Sequence, residues 1–217
     1  MNISILCTDK NHPVYARLEG WRAEQGPKHH VFLANKKADL PGGDLLFLIS
    51  VNEIIDQEIL GKYRHSLVIH ASDLPKGRGW SPHIWQILAG ENCIVVSLLE
   101  AADKVDSGAI WAKKSFELSG HELYQEINDK LFSVELELMS YAVDNIDNIR
   151  PIEQDTIEPT YYPKRQPKDS ELDPHKTIAE QFDLLRVVDR KRFPAFFRFR
   201  GCEYVINIEK REGLNEV

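Results

Sequence analysis

The amino-acid sequence predicts an α/β fold with a mostly parallel sheet, followed by a small α+β appendage. Short apolar runs alternate with helix-like segments through residues 1–150, which is typical of strands joined by helical crossovers. Five prolines spread over residues 151–174 then prevent a continuous helix. Near the end of the chain, two apolar runs flank Arg200 and Gly201, as the strands of a hairpin do.

The predicted elements follow one another in a regular order. Before residue 100 they are a strand at 3–7, a helix at 13–25, strands at 31–34 and 45–51, a helix at 53–60, a strand at 66–70, a helix at 81–89 and a strand at 94–99. A strand at 109–113 precedes the longest helix, which we expect to begin at Ser119 or Gly120. The apolar positions of that helix have the spacing of one buried face and are Leu123, Ile127, Leu131, Val134, Leu138 and Tyr141.

The chain is predicted to divide at Arg150. Residues 1–150 carry the alternating strands and helices and form the predicted core domain. Residues 151–217 contain the proline-rich connector, a short helix expected at 177–188 and hairpin strands expected at 195–199 and 203–208. This second part is therefore a linker with a small helix and hairpin subdomain.

Composition limits the classes of protein to which the chain can belong. With 217 residues, 42% hydrophobic and 28% charged, it is long enough for one compact domain with a small addition. The net charge of −7 argues against nucleic acid as a partner, because phosphate binding usually needs a basic surface. The apolar run at 45–51 is too short to cross a bilayer, and the N-terminus lacks the pattern of a signal peptide. We therefore expect a soluble protein with no membrane partner.

The cysteines predict neither a disulfide framework nor a zinc site. Cys7, Cys93 and Cys202 are far apart in the chain, and none belongs to a C-x-x-C pair. A reducing cytoplasm suits such a chain best. No metal site is expected, since two further candidate groups lack metal-ligand spacing, namely His29-His30 and His121-Glu122.

The most informative segment is the loop from His70 to Pro82, which contains Gly77 and Gly79. Ligands of open α/β sheets bind beyond the carboxyl ends of the strands, and His70 is the last residue of a predicted strand. Its imidazole would lie beside a helix N-terminus, which favours anionic groups. A surface histidine, with glycines that serve only the turn, explains the segment equally well. A dinucleotide-binding fingerprint is not supported, because Pro82 occupies the place of the third glycine.

A second candidate segment is the turn Asp106-Ser107-Gly108, which leads into the strand predicted at 109–113. Asp-Ser-Gly is ordinary turn chemistry, so this segment alone predicts a turn and nothing further. A histidine at one strand end and an aspartate before a later strand together form a more specific pattern.

Residues 70–110 resemble the formyltransferase family that uses 10-formyltetrahydrofolate. The family pattern is N-x-H-x-S-L-L-P, a Gly-containing loop, S or A then P, a helix that ends in G-E, and later D-x-G-x-I. The matching positions in this chain are His70, Ser72, Leu74, Pro75, Gly79, Pro82, Gly90, Glu91, Asp106, Gly108 and Ile110. The resemblance implies a Rossmann-like sheet, a catalytic formyltransferase core at 1–150 and 10-formyltetrahydrofolate as the formyl donor.

The second part of the chain is similar to sugar-nucleotide formyltransferases. The positions that carry this similarity are the segment YPKRQPKDS at 162–170, then Phe182, Leu185, Arg186 and Pro194-Ala195-Phe196. Residues 72–82 are similar to enzymes of pseudaminic-acid-type pathways. The resemblance implies N-formylation of a UDP- or dTDP-linked 4-amino-4,6-dideoxyhexose for surface polysaccharide biosynthesis. A homodimer that forms through the C-terminal region is also expected.

The resemblance assigns chemical roles to individual residues. Formyl transfer needs groups that stabilise an oxyanion and move protons. We expect His70 to bind the developing oxyanion, and Asp106 to orient that imidazole, favour its charged form and help take the amine proton. Val68 replaces the family asparagine two residues before the histidine and cannot donate a hydrogen bond. Asn52 is the candidate substitute, although it also suits a strand-end turn or a helix cap.

Ligand contacts are expected on both sides of this pair. In the resembling enzymes the loop that corresponds to 98–106 borders the pterin ring. The expected folate contacts are Leu98, Leu99, Asp103 and Trp85. The expected contacts with the amine substrate are Ser72, Lys76, Arg78 and Trp80. Lys76 and Arg78 would bind the diphosphate of the substrate, and the indole of Trp80 would stack on its base. Exposed loop cations are also common without a function.

Three alternative functions remain open. Methionyl-tRNA formyltransferase would need a larger basic C-terminal domain, whereas residues 151–217 contain 12 lysines and arginines against 13 aspartates and glutamates. Glycinamide ribonucleotide formyltransferase has a similar length but does not explain the segment at 162–165. A folate-binding or folate-hydrolysing homologue would explain the missing asparagine. The arginines and phenylalanines at 192–200 predict a half-buried hairpin more simply than a nucleic-acid platform.

Overall fold

The computed structural model describes residues 1–211 and has a six-stranded sheet at its centre. The strands of this sheet are β1 (Asn2–Leu6), β2 (His30–Ala34), β3 (Gly43–Leu48), β4 (Tyr63–His70), β6 (Cys93–Glu100) and β7 (Ile110–Glu117). The short strand β5 (Arg78–Gly79) lies outside the sheet. The order across the sheet is β2-β1-β3-β4-β6-β7.

The sheet is parallel on one side and antiparallel on the other. β1 pairs in parallel with β2 and β3, and β3 pairs in parallel with β4. β6 runs antiparallel to both β4 and β7. The carboxyl ends of the four parallel strands therefore meet at one edge of the sheet, and His70 ends β4 at that edge.

The helices agree with the predicted order, but the helix predicted at 53–60 begins only at Gln57, and the longest helix also begins later than predicted. They are α1 (Tyr15–Gln25), α2 (Gln57–Leu60), α3 (Pro82–Leu88), α4 (Tyr124–Asn145) and α5 (Phe182–Arg186). The prediction that α4 begins at Ser119 or Gly120 is wrong. The carboxylate of Glu122 accepts hydrogen bonds from the N–H groups of both residues, which holds them in a turn before the helix.

The buried face of α4 contains most of the predicted positions. Ile127, Leu131, Val134 and Leu138 are buried, but Tyr141 is exposed. The apolar spacing therefore predicts burial wrongly at Tyr141, the last position of the predicted face. Beyond Leu138 the buried positions are taken by three other apolar side chains, Met139, Ala142 and Val143.

Apolar side chains cover both faces of the sheet. The larger cluster joins the sheet to α1 and α4, and includes Ile5, Phe47, Leu18 and Leu138. A second cluster covers the opposite face and contains Leu46, Leu48, Ile59 and Leu60, with Val68 and Ala101 packed against it. Side chains alternate along a strand, so Val68 and His70 lie on the same face.

The residues after 150 return along the loop that follows β4. β8 (Tyr161–Tyr162) pairs in parallel with β5, and Ile152 forms an isolated bridge with Ile110. The predicted helix at 177–188 is shorter in the structure and consists of α5 with a 3₁₀ turn at Ala179–Gln181. β9 (Ala195–Phe199) and β10 (Cys202–Ile206) form an antiparallel hairpin. Within residues 1–211, no helix has both the length and the apolar character that crossing a membrane requires.

Candidate active site

His70 lies in a buried position at the carboxyl end of β4. Its Nε2 atom is 2.8 Å from the carbonyl oxygen of Gly77, in the glycine-containing loop. A carbonyl oxygen only accepts hydrogen bonds, so Nε2 carries a proton in this arrangement. The imidazole is therefore fixed by the backbone of the loop that follows it.

Asp106 reaches the same position from the turn before β7. Its Oδ1 atom lies 3.5 Å from Nδ1 of His70, and its Oδ2 atom accepts a hydrogen bond of 2.9 Å from the N–H of Gly79. Both the imidazole and the carboxylate are less than a tenth exposed. The structure thus brings together the two candidate catalytic residues, which are far apart in the sequence.

The turn that carries Asp106 has an unusual backbone. Asp106 has a φ of 54°, in the left-handed region that non-glycine residues rarely adopt. Gly108 has no room for a side chain, because a Cβ atom there would lie 2.0 Å from the carbonyl oxygen of Glu100. Gln154 donates hydrogen bonds to the carbonyl oxygens of Asp106 and Gly108. Sequence reasoning did not find Gln154, because a single glutamine in a polar linker carries no local signal.

The four predicted contacts with the amine substrate lie in different environments. Lys76 and Trp80 are exposed on the loop, and Nζ of Lys164 lies 4.6 Å from the centroid of the Trp80 ring. Ser72 is buried, and its hydroxyl has no hydrogen-bond partner among residues 1–211. Arg78 is also buried, and its Nη2 atom donates a hydrogen bond of 2.6 Å to Oε1 of Gln154. This burial does not favour a contact of Arg78 with substrate.

Asn52, the candidate second oxyanion donor, lies at the same edge of the sheet. Its backbone N–H donates to Oγ1 of Thr8, beyond the end of β1. The Asn52 residue is exposed, and in residues 1–211 its side chain makes no hydrogen bond. Val68 packs in the apolar cluster on the face it shares with His70. The structure therefore leaves the role of Asn52 as a prediction.

The four predicted folate contacts are also dispersed. Leu98 and Leu99 are fully buried in β6, so only the backbone that follows them is available to a ligand. Asp103 is exposed and accepts a hydrogen bond of 2.8 Å from Nε2 of Gln57. Trp85, on α3, donates its indole N–H to the carbonyl oxygen of Pro163. Trp85 is thereby tied to the linker that follows the core.

Two histidines that the sequence analysis did not single out belong to the same region. Nδ1 of His12 accepts the N–H of Val14 at 3.3 Å, and its Nε2 lies 3.4 Å from Oγ of Ser50. Burial lowers the pKa of His12 to about 4. Burial also lowers the pKa of His83, to about 3. His12 and His83 are therefore neutral at neutral pH.

Comparison with known proteins identifies the family. The family model described as formyl transferase matches residues 10–143, which include His70, Asp106 and the loop between β4 and α3. This chain belongs to the formyl transferase family. The family resemblance predicted from residues 70–110 is therefore confirmed.

Individual members of the formyl transferase family extend this result. A methionyl-tRNA formyltransferase from Rickettsia massiliae is 30% identical over 174 residues, which are 79% of this chain and 56% of that protein. The chain spans about half the length of the curated relatives that it matches.

Solved structures of similar proteins confirm the α/β fold. HypX from Aquifex aeolicus, solved in complex with tetrahydrofolic acid, has a TM-score of 0.79 at 22% identity. The match covers 96% of this chain and 37% of the HypX chain. A sugar N-formyltransferase from a Shewanella species has a TM-score of 0.71 at 15% identity, and the match covers 97% of this chain and 98% of that chain. At these identities the likeness establishes the fold and not the substrate.

Proposed function

We propose that this protein transfers a formyl group from 10-formyltetrahydrofolate to the primary amine of a nucleotide-linked amino-deoxy sugar. The observation that carries the proposal is the buried contact of His70 with Asp106 at the carboxyl edge of the sheet. Membership of the formyl transferase family supports formyl transfer as the reaction. The sugar is a UDP- or dTDP-linked 4-amino-4,6-dideoxyhexose of a surface-polysaccharide pathway, of the pseudaminic-acid type.

The surroundings of His70 fit a folate donor. A pterin ring is flat and largely apolar, and half-buried apolar side chains lie on the face that His70 shares, namely Val51, Ile55, Val68 and Ala101. The exposed backbone after β6, at 101–106, offers polar groups at the rim of this surface. Apolar surface with a polar rim is what recognition of a flat ring with polar edges requires.

His70 and Asp106 have different roles in the proposed reaction. The amine nitrogen bonds to the formyl carbon, the carbon–N10 bond of the donor breaks, and negative charge develops transiently on the formyl oxygen. The Nε2–H group of His70 donates a hydrogen bond to that oxygen, which replaces the carbonyl oxygen of Gly77 as the acceptor. Asp106 holds the other ring nitrogen and takes the proton that the attacking amine loses. Asp106 then passes this proton to the departing folate nitrogen, so the products are a formamide and tetrahydrofolate.

The amine substrate approaches over the exposed part of the loop after β4. Trp80 and Lys164 form a stacked cation and indole, which suits the base of a nucleotide. Lys76 supplies an exposed positive charge for a diphosphate. Arg78 supports this loop from inside the protein through Gln154.

A second candidate substrate is methionyl-tRNA, which is favoured by the 30% identity to the Rickettsia massiliae enzyme. The charge distribution favours the sugar nucleotide, because residues 151–217 contain 12 basic and 13 acidic residues. A surface that binds the backbone of tRNA would carry an excess of positive charge.

We also propose a homodimer and a cytoplasmic location. Phe199, Tyr204 and Val205 expose apolar surface on the hairpin of β9 and β10, which is suited to contact with a second copy. All three cysteines are free thiols, and two of them are exposed, which suits a reducing compartment.

The test is a panel of amines incubated with the protein and 10-formyltetrahydrofolate, with folate release followed by absorbance. The panel contains UDP- and dTDP-linked 4-amino-4,6-dideoxyhexoses, glycinamide ribonucleotide and methionyl-tRNA. We expect folate release only with an amino-sugar nucleotide and a product heavier by one formyl group. Release without any amine would identify a hydrolase, and binding of folate without release would identify a carrier. Release with methionyl-tRNA alone would replace the sugar as the substrate.

A further inference from the structure

Gln154 joins three backbone or side-chain groups around the candidate catalytic aspartate. Its Nε2 atom donates hydrogen bonds of 2.9 Å to the carbonyl oxygen of Asp106 and of 2.9 Å to that of Gly108. Its Oε1 atom accepts a hydrogen bond of 2.6 Å from Nη2 of Arg78. The amide therefore uses both of its ends, and each partner belongs to one of the two loops that carry the site.

The turn that Gln154 holds cannot keep its shape through local interactions alone. Asp106 has left-handed backbone geometry, which a non-glycine residue keeps only when surrounding contacts impose it. The hydroxyl of Ser107 bonds back to the carbonyl of Lys104 but does not reach the other side of the turn. Gln154 is the side chain that bonds to the carbonyls on both sides of Ser107.

The linker that carries Gln154 is fixed to the same two loops at both of its ends. Ile152 exchanges backbone hydrogen bonds of 2.7 and 2.9 Å with Ile110, just after the Asp106 turn. At the other end, Oγ1 of Thr160 accepts the N–H of Gly77, and the carbonyl of Thr160 accepts the N–H of Arg78. Gln154 is thus placed between two anchored segments, and its position relative to the turn is determined.

We propose that Gln154, supported by the buried guanidinium of Arg78, is a positioning residue that holds the Asp106 carboxylate against His70. This inference rests on the proposed function, because it gives the turn a part in formyl transfer. Gln154 acts through Asp106 and does not touch the substrate. Arg78, which was predicted to contact the amine substrate, acts here as the partner that orients Gln154.

Two substitutions of Gln154 remove different sets of its hydrogen bonds. Gln154→Leu has a similar size and removes all three hydrogen bonds. Gln154→Glu keeps an acceptor for Arg78 but loses both donations to the turn. Glu153→Gln is the matched control, since Glu153 is exposed on the same linker and makes no hydrogen bond or ion pair among residues 1–211.

The first measurement is independent of any substrate. Hydrogen exchange of backbone amides, followed by mass spectrometry, is compared for peptides that cover 104–110 in the full chain. We expect exchange there to be at least about tenfold faster in Gln154→Leu and unchanged in Glu153→Gln. Unchanged exchange in Gln154→Leu would show that the turn does not depend on Gln154 and would overturn the proposal.

The second measurement is kinetic and uses 10-formyltetrahydrofolate with the amine that gives the highest turnover. We expect Gln154→Leu to lower kcat by about 10- to 100-fold while KM for each substrate changes by less than about threefold. In an Asp106→Asn background, the same substitution should lower kcat by less than about threefold, because the group it positions is already lost. Equal factors in the two backgrounds would show a purely structural role and would overturn the proposal.

The two measurements also distinguish a variant that does not fold from a wild-type protein that has no activity. If thermal unfolding shows that Gln154→Leu does not fold, Gln154→Glu takes its place in both measurements, with the same expectations. If the wild-type protein releases no folate with any amine, the proposed function fails. The exchange measurement then still decides whether Gln154 holds the Asp106 turn.

Discussion

The imidazole of His70 and the carboxylate of Asp106 are held by the same short stretch of backbone. The carbonyl oxygen of Gly77 faces Nε2 of His70, and the N–H of Gly79 donates to Oδ2 of Asp106. The loop after β4 therefore fixes both members of the pair, and the remaining ring nitrogen and carboxylate oxygen lie 3.5 Å apart. A pair that is oriented by backbone groups loses little entropy when substrate binds, which favours catalysis.

Replacement of either member of the pair should remove most of the activity. For His70→Asn and for Asp106→Asn we expect kcat to fall by about 10² to 10³, because each substitution removes a group that stabilises developing charge or moves a proton. His30→Asn is the control, since His30 is an exposed histidine on β2, at the opposite edge of the sheet. Steady-state kinetics with 10-formyltetrahydrofolate provide the measurement. Turnover close to that of the wild type in either variant would contradict the mechanism.

The candidate catalytic pair was predicted through the resemblance of residues 70–110 to the formyltransferase family. Its members lie directly at a strand end and in the turn before another strand, so short local patterns in the sequence include them. The residues that support them were not predictable. Gln154 and Arg78 act through contacts with segments far away in the chain, and His83 acquires its environment only when α3 packs beside the site.

Removal of the exposed indole at the loop should weaken binding of the nucleotide-linked amine that we propose as substrate. For Trp80→Ala we expect KM for this amine to rise about tenfold, since stacking of an aromatic ring is lost. KM for folate should stay within about twofold of the wild type. Tyr141→Ala is the control, because Tyr141 is a similarly exposed aromatic residue on α4. An equal rise of KM for both substrates would place Trp80 outside the amine site.

Glu122 should make stability depend on pH in the acid range. Burial opposes ionisation of its carboxyl, but hydrogen bonds from Lys130 and the N–H of Ser119 outweigh it and lower the pKa from 4.5 to about 2. A lowered carboxyl pKa adds stability above pH 4.5, and this contribution is lost as the pH falls towards 2. We expect Glu122→Gln to lower the free energy of unfolding by about 1–2 kcal/mol at pH 7, since solvent screens the half-exposed Lys130.

Urea unfolding at pH 7 and pH 3 measures this contribution. The difference between Glu122→Gln and the wild type should be smaller at pH 3 than at pH 7. Glu91→Gln is the control, since Glu91 is exposed and has no ion pair in the described part of the chain. An equal loss of stability at both pH values would indicate that the substitution disturbs packing and not charge.

Contacts between residues of different elements explain which parts of the fold were predicted inaccurately. The start of α4 was placed too early because apolar periodicity cannot show that Glu122 binds the N–H groups of Ser119 and Gly120. Tyr141 was assigned to the buried face because its spacing is correct, yet the buried positions beyond Leu138 are Met139, Ala142 and Val143, and Tyr141 is exposed. Periodicity thus predicts that an element exists, whereas tertiary contacts decide where it begins and which of its positions are buried.

Glu135 should make stability depend on pH in the alkaline range, with the opposite sign to Glu122. This carboxyl lies on α4, and its Oε2 atom is buried with no hydrogen-bond partner in the part of the chain that the structure describes. Burial raises its pKa from 4.5 to about 8. A raised carboxyl pKa means that stability is fully present below pH 4.5 and is lost as the pH rises through 8. The neutral side chain of Glu135→Gln should therefore be more stable than the wild type at pH 9, by about 1–3 kcal/mol, and similar to it at pH 5. Urea unfolding at both pH values measures the effect. Asp144→Asn is the control, since Asp144 is exposed on α4 and has no ion pair within residues 1–211. A Glu135→Gln variant that is less stable than the wild type at pH 9 would show that the ionised carboxylate finds a partner that stabilises it.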